Sequence, residues 1–295
     1  MYSNANLHVH SSCSDGSLSP RELIELAEKS GLQLLSITDH NSIGAYASIL
    51  ASCEPNIDVI LGTELTCRHT LPNGAATVLH ICAYFPNKIG ESLGIAFEAV
   101  RKPLQKICAR ASGGINERRE IQVAAMKKAG FAIEWADVLA EARNRILCEA
   151  GNAQADIIDI AAVLQRGGGF DFSAALGMLK YPNEFYVGPG RNWFCFEARK
   201  LIRSIIDLGG IACLAHPTKK IPIHCLDGAV AELSGCGLNA IEAYNNTNAL
   251  EEGEILRIAE KYYLLVTKGN DFHGMEQPIN PDFETSRLAA IRRHY

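Results

Sequence analysis

Two imidazoles separated by one valine, His8-Val9-His10, end the first apolar stretch of the chain and run straight into the polar loop "SSCSDGS". In a strand, residues i and i+2 point to the same side, so His8 and His10 can reach one ion together while Val9 packs behind them. The same kinds of side chain recur at Asp15, His40, Glu64, His80, His216, Asp271 and His273. Imidazole and carboxylate without thiolate is a donor set for Zn²⁺, Mn²⁺ or Fe, and it does not choose among them. These donors are too many for one ion and enough for two or three, with a carboxylate bridging.

The elements that must position them read as an alternating α/β chain. Residues 5–9 form a strand and "SPRELIELAEKSG" a helix, capped by Ser19 with Pro20 in its first turn and Glu22 completing a capping box. "LQLLSIT" (32–38) and "IDVILG" (57–62) read as buried parallel strands around the helix "SIGAYASILASC". Asn73-Gly74 predicts a hairpin between "ELTCRH" and "ATVLHICAYF". From about 90 to 200 the pattern is helical, with no convincing strand before Ile211, and residues 105–190 read as a helical insertion. The α/β rhythm then returns: helix 196–208, strand 211–216, a helix near 227–234, strand 239–244, helix 249–262 and strand 264–269. On this map the ligand-type residues fall mostly at strand C-terminal ends, where parallel α/β barrels and sheets assemble their sites. His69, His224 and His294 stand outside the pattern.

A formal charge of −5 advertises neither a duplex-DNA surface nor an anionic-membrane surface. No apolar run is long enough to span a bilayer, and "MYSNANLHVH" does not read as a signal peptide. The ten cysteines include no C-x-x-C pair and read as reduced thiols of a cytoplasmic protein. The sequence leaves oligomeric state open.

Taken in order, "LHVHSSCSDGSLSP", "ITDHNSIGAY", "GTELTC", "LAHP" and "GNDFHG" resemble the successive motifs of the PHP family (polymerase and histidinol phosphatase), and most of all its TrpH-like phosphoesterases. The resemblance implies a distorted (βα)7 TIM-like barrel, here residues 1–104 and 191–295, with 105–190 as a cap. It implies two or three divalent ions (Mn, Fe or Zn): one on His8, His10, Glu64 and Asp271, and a second on His80 and His216 bridged by Glu64. A third would sit on Asp15, His40 and His273. An oxygen ligand at position 15, where some branches carry histidine, favours Mn²⁺ or Fe over Zn²⁺ there.

The implied activity is hydrolysis of a phosphomonoester or phosphodiester by a hydroxide bridging two metals, with Asp271 or His273 managing protons. The expected partner is a small phosphorylated substrate, a nucleotide or short oligonucleotide. Arg118, Arg119 and Arg191 are the candidate phosphate clamps, since guanidinium suits bidentate contact. Where the family's cap carries an Arg-His pair this chain reads "GNAQADIIDIAAVL", with neither residue, which puts the family's substrates in question but leaves the metal set untouched. Two other classes use similar constellations: an amidohydrolase cleaving C–N or C–O bonds, and a retired barrel whose metals are structural.

Overall fold

Local sequence chemistry places the first half of the barrel. In the computed structural model, which describes residues 4–86, 92–146, 153–180, 183–187, 196–245, 248, 251–274 and 278–279, strand β1 is Ala5–Val9 and helix α1 is Pro20–Lys29. The Ser19–Glu22 capping box forms as the sequence predicts, and Leu23, Ile24 and Ala27 are buried on one face of α1. Strand β2 (Leu34–Ile37), helix α2 (Gly44–Ser52) and the short β3 (Asp58–Val59) follow. Strands β1, β2 and β3 form one parallel sheet in that order.

The predicted hairpin is β4 (Leu61–Thr70) with β5 (Ala76–Phe85), paired from Leu61↔Phe85 to Thr70↔Ala76. Gly74 sits at φ 83°, a turn conformation that glycine adopts without a Cβ penalty.

Helix α3 spans Leu93–Lys128, 36 residues, and carries Pro103 inside it. An interior proline ordinarily costs a helix about 3 kcal/mol. Here the stripe Phe97, Val100, Leu104, Cys108 and Ala111 is buried in the barrel core on both sides of the proline and offsets that cost. Further along, Val123 and Met126 enter a separate core with Ile133, Val138, Ile160 and Leu164. That second core is built with α4 (Trp135–Arg145), α5 (Ile157–Arg166) and α6 (Phe172–Leu179). One helix therefore contributes to both cores.

The chain returns through β6 (Phe196–Glu197), α7 (Ala198–Asp207), β7 (Ile211–Leu214), α8 (Pro217–Lys220), α9 (Ile223–Ser234), β8 (Ala240–Tyr244), α10 (Glu252–Lys261) and β9 (Leu265–Lys268). The two-residue β6 pairs with Cys67 and Arg68 of β4, a strand before Ile211 that sequence pattern does not announce. The second sheet runs β6-β4-β5-β7-β8-β9. The two sheets touch through single bridges, Val9 with Phe272 and His40 with Glu64, rather than through continuous ladders. The result is an α/β fold of distorted TIM-barrel type. A small apolar cluster that includes Leu7, Leu34, Tyr84, Ile211 and Ala240 draws on both sheets.

No described helix is long and apolar enough to cross a membrane. Cys53, Cys67, Cys82, Cys108, Cys213, Cys225 and Cys236 are free thiols. Cys13, in the loop after β1, is disulfide-bonded, which corrects the expectation that every cysteine is a reduced thiol.

Candidate metal centre

Strand ends and the loops after them, together with Glu64 inside β4 and His80 inside β5, bring all nine expected ligand residues into one place. Their donor atoms fall into three groups, with atoms in each lying within 4.8 Å of one another: His8, Glu64, His216 and Asp271; His40, Glu64 and His80; and His10, Asp15, His40 and His273. The geometric partition differs from the one carried over by resemblance, since His216 joins His8 and His10 joins the loop residues. Glu64 lies centrally. His40 Nδ1, His80 Nδ1 and His216 Nε2 each approach its carboxylate to 2.9 Å, and His8 and His10 Nε2 approach to 3.4 Å.

Many of these atoms are buried without a hydrogen bond: His8 Nε2, His10 Nδ1, His40 Nδ1, His80 Nδ1, His216 Nδ1 and Glu64 Oε2. His40 Nδ1 and His80 Nδ1 lie close to Glu64 but lack hydrogen-bonding geometry. Buried polar atoms are rarely left unpaired, and each such omission costs roughly 1–3 kcal/mol. Side chains sharing an ion do face a common point instead of pairing with each other. The donor set therefore fits divalent cations.

The electrostatics agree. Burial opposes ionisation of Glu64, Asp15 and Asp271, yet the surrounding imidazoles hold all three carboxyls well below the usual range. Burial likewise opposes protonation of His40, but Asp15, Glu64 and Asp271 override it and raise the imidazole to about 10. For His8 the anionic neighbours again outweigh burial and push it up. Burial wins at His10, lowered to about 4, and at His80, lowered to about 3.

The loop carrying Asp15 is held from beneath. Buried Asp39 accepts from the Ser11 backbone N–H at 2.7 Å and from the Ser11 and Ser14 hydroxyls at 2.6 Å each. Gly16 lets this loop close on the strand end: a Cβ there would lie 2.1 Å from the His10 carbonyl oxygen. From the cap, Arg145 donates to the Ser14 carbonyl and holds Asp159 through two 2.8 Å hydrogen bonds. Asn41, at φ 50°, donates to Gln154 Oε1 at 2.6 Å and accepts from the Thr66 N–H at 2.8 Å. Gln154 stands in the stretch where the family pattern called for Arg-His.

A cavity of about 410 Å³ opens beside His40 and His80, with Arg118, Arg119, Tyr186, Lys219 and Lys220 among its walls. Arg118 lies over the Tyr186 ring at 5.3 Å, and burial beside Arg119 lowers its guanidinium to about 10. Arg119 is turned inward, donating to Gln122 Oε1 at 2.8 Å and Asp156 Oδ1 at 3.3 Å. Arg191 lies outside the described residues. Lys219, which sequence reasoning missed, places Nζ 2.9 Å from Asp271 Oδ2. Its signal was available: Lys219-Lys220 come one residue, Thr218, after His216-Pro217 at a strand's C-terminal end.

Comparisons with known proteins show what the chain is similar to. Residues 6–132 match the model of the PHP domain. The chain is 26% identical over 286 residues to phosphoribosyl 1,2-cyclic phosphate 1,2-diphosphodiesterase of Eggerthella lenta, covering 91% of this chain and 94% of that one. It is 23% identical to the 3′,5′-nucleoside bisphosphate phosphatase of Chromobacterium violaceum, covering 92% and 87%. Its fold superposes on that of a candidate metal-dependent phosphoesterase from Bifidobacterium adolescentis with a TM-score of 0.69 at 24% identity, covering 94% and 90%. With these histidines and carboxylates gathered on a distorted barrel, the chain resembles the PHP-domain proteins, whose family model it matches over residues 6–132.

Proposed function

We propose that this chain is a divalent-metal-dependent phosphoesterase that hydrolyses a phosphomonoester or phosphodiester bond in a small nucleotide-like substrate. The carrying observation is the cluster of buried, unpaired imidazole and carboxylate atoms facing common points. The relatives named as a cyclic-phosphate diphosphodiesterase and a nucleoside bisphosphate phosphatase support the reading.

In this reading His8, Glu64, His216 and Asp271 hold one ion, His40 and His80 with Glu64 a second, and His10, Asp15, His40 and His273 a third. The Asp15 carboxylate, an oxygen donor among the three imidazoles of that outer group, favours Mn²⁺ or Fe over Zn²⁺ there. Bound divalent ions supply positive charge that acidifies water and neutralises phosphoryl oxygens.

The chain's own groups do the rest. Asp271 points Oδ1 at His10 Nε2 (3.1 Å) and Oδ2 at Lys219 Nζ, a position suited to taking the attacking water's proton. His273 donates its Nδ1–H to the Asp271 carbonyl at 2.7 Å, because a carbonyl can only accept. That turns Nε2 toward Asp15 and the solvent side; when that nitrogen holds a proton and no ion, it can protonate a leaving oxygen, and at 37% its side chain is the most exposed in the cluster. Burial opposes the charge on Lys219, but Asp271 raises its pKa, so it serves as a fixed ammonium and not as a base. Lys219, Lys220 and Arg118 then form a cationic wall for phosphate oxygens, with Arg119 propping it from behind.

The test is turnover of Mn²⁺-loaded protein on a 3′,5′-nucleoside bisphosphate, a short 5′-phosphorylated RNA and a sugar phosphate, with amide and lactone esters as controls. Phosphoester turnover should require metal and vanish in His10→Ala and Glu64→Ala. Unchanged turnover in either variant, or activity confined to amides or lactones, defeats the proposal.

A further inference from the structure

Behind the cluster lies a carboxylate that takes no place in any of the three donor groups. Glu242, on β8, is 1% exposed. Its Oε1 accepts from His8 Nδ1 at 3.0 Å. Its Oε2 accepts from the His216 backbone N–H at 2.7 Å and from Asn245 Nδ2 at 3.0 Å. The other neighbour of His8 Nδ1, Cys82 Sγ, is 3.9 Å away and too distant to compete.

A second observation bears on the same pair. Gly269 follows β9 directly, and a Cβ there would lie 2.3 Å from His8 Cβ and 2.8 Å from Glu242 Oε1. The chain omits a side chain where the His8–Glu242 contact needs room.

We infer that Glu242 is the positioning residue of the inner group, orienting His8 through its ring and His216 through its backbone. The inference rests on the reading of the cluster as a metal centre. An ionised carboxylate only accepts, so His8 must present Nδ1–H to it and turn the lone pair of Nε2 toward Glu64 and Asp271, each 3.4 Å away. His216 sits at φ 26°, a conformation that non-glycine residues seldom hold unaided. The Glu242 hydrogen bond to its N–H pins that bend and so aims the ring, whose Nε2 meets Glu64 Oε1 at 2.9 Å. Both imidazoles of the inner group thus depend on one carboxylate, while His10, Asp15, His40 and His273 have no contact with it among the described interactions. Outer partners of metal-binding histidines fix tautomer and ring direction, and losing one typically weakens metal affinity 10–100-fold.

The test compares Glu242→Gln with Glu242→Asp by titrating metal-free, full-length protein with Mn²⁺ alone and counting bound ions by elemental analysis. The site offers three donors and no acceptor, so glutamine must turn an NH₂ toward a donor despite matching glutamate in size. Aspartate keeps the accept-only chemistry but is one methylene shorter. Positioning predicts that Gln loses about 10–100-fold in affinity for one ion and leaves the others unchanged, with Asp recovering part of the loss. A packing role predicts the reverse, with the isosteric Gln closer to wild type, and that order overturns the inference. Wild-type protein gives an independent check that needs no variant: side-chain ¹H–¹⁵N spectra of the metal-loaded enzyme must show His8 protonated at Nδ1. Protonation at Nε2 overturns the inference. A wild type that takes up no divalent ion defeats the metal-centre reading and this inference with it. Tight binding by wild type with Gln unchanged defeats the inference alone.

Discussion

Replacing Arg145 with methionine should unfasten the cap from the loop that carries Asp15. Arg145 reaches from α4 to the Ser14 carbonyl, also donates to the Gln154 carbonyl at 3.2 Å, and is gripped by Asp159 through Nε and an Nη at 2.8 Å each. The two charges are unequally buried: the Asp159 side chain is 1% exposed and that of Arg145 22%. Methionine preserves much of the stem's packing but leaves a buried carboxylate whose remaining partner among the described residues is the Asp156 N–H at 2.7 Å. Breaking a buried pair from one side costs about 3–5 kcal/mol, because the surviving charge is uncompensated. The lower end of that range fits a guanidinium in partial contact with water, so about 3 kcal/mol is expected. By the scaling for domains of moderate size, that lowers Tm by roughly 6–12 °C. Urea denaturation of wild type, Arg145→Met, Asp159→Asn and the double variant closes a thermodynamic cycle. Removing both charges should recover about 1–3 kcal/mol relative to the sum of the singles. A single variant that loses under 1 kcal/mol, or a cycle with no coupling, would refute the electrostatic account of the clasp.

Other outcomes follow from the same coordinates. Metal-free protein should be most stable near pH 6.5. Below that value an unfolded chain takes protons that His10 (about 4) and His80 (about 3) refuse, so stability falls with pH; above it, folded His8, His40 (about 10) and His273 keep protons that an unfolded chain releases, so stability falls as pH rises. Thermal melts of chelator-treated protein check this, and a Tm that climbs steadily from pH 6.5 to 9 contradicts it. Gly16→Ala should cost about 3 kcal/mol or more, since its Cβ meets backbone that cannot yield, whereas Gly113→Ala, in open space on α3, should be neutral or stabilising by up to about 1 kcal/mol. Equal melting temperatures for these two variants would show that the loop does not pack as described.

What the sequence disclosed follows physical range. The Ser19–Glu22 cap and the Asn73-Gly74 hairpin were legible because the interacting residues are neighbours along the chain. His8 and His10 were legible because a strand's period places them on one side. Helix α3 was read only in part: an insertion boundary at residue 105 falls inside Leu93–Lys128, where the buried stripe carries one unbroken helix past Pro103. The bonds that build the site were hidden for a different reason. Glu242 meets His8 across 234 positions, Arg145 meets Ser14 across 131 and Asn41 meets Gln154 across 113. No periodicity records such pairs, because each side chain has an ordinary local role as a strand, helix or loop residue.

These long-range bonds divide the cluster into two constructions. His8, Glu64 and His216 are braced by barrel elements alone: Glu242 on β8, the vacant side of Gly269, and the β4–β5 hairpin. Asp15 and His40 sit where barrel loops meet the cap, with Arg145 on Ser14 and Gln154 on Asn41. A change around Arg145 or Gln154 therefore acts on the outer group first, through two hydrogen bonds, and reaches the inner group through Glu64, Asp271 and the neighbouring imidazole rings. That asymmetry is compatible with a stretch at 151–164 that carries no Arg-His pair beside a full set of donors at the centre. The bonds that brace the inner donors and the bonds that brace the outer donors are carried by different parts of the fold, so one set can vary while the other is held in place.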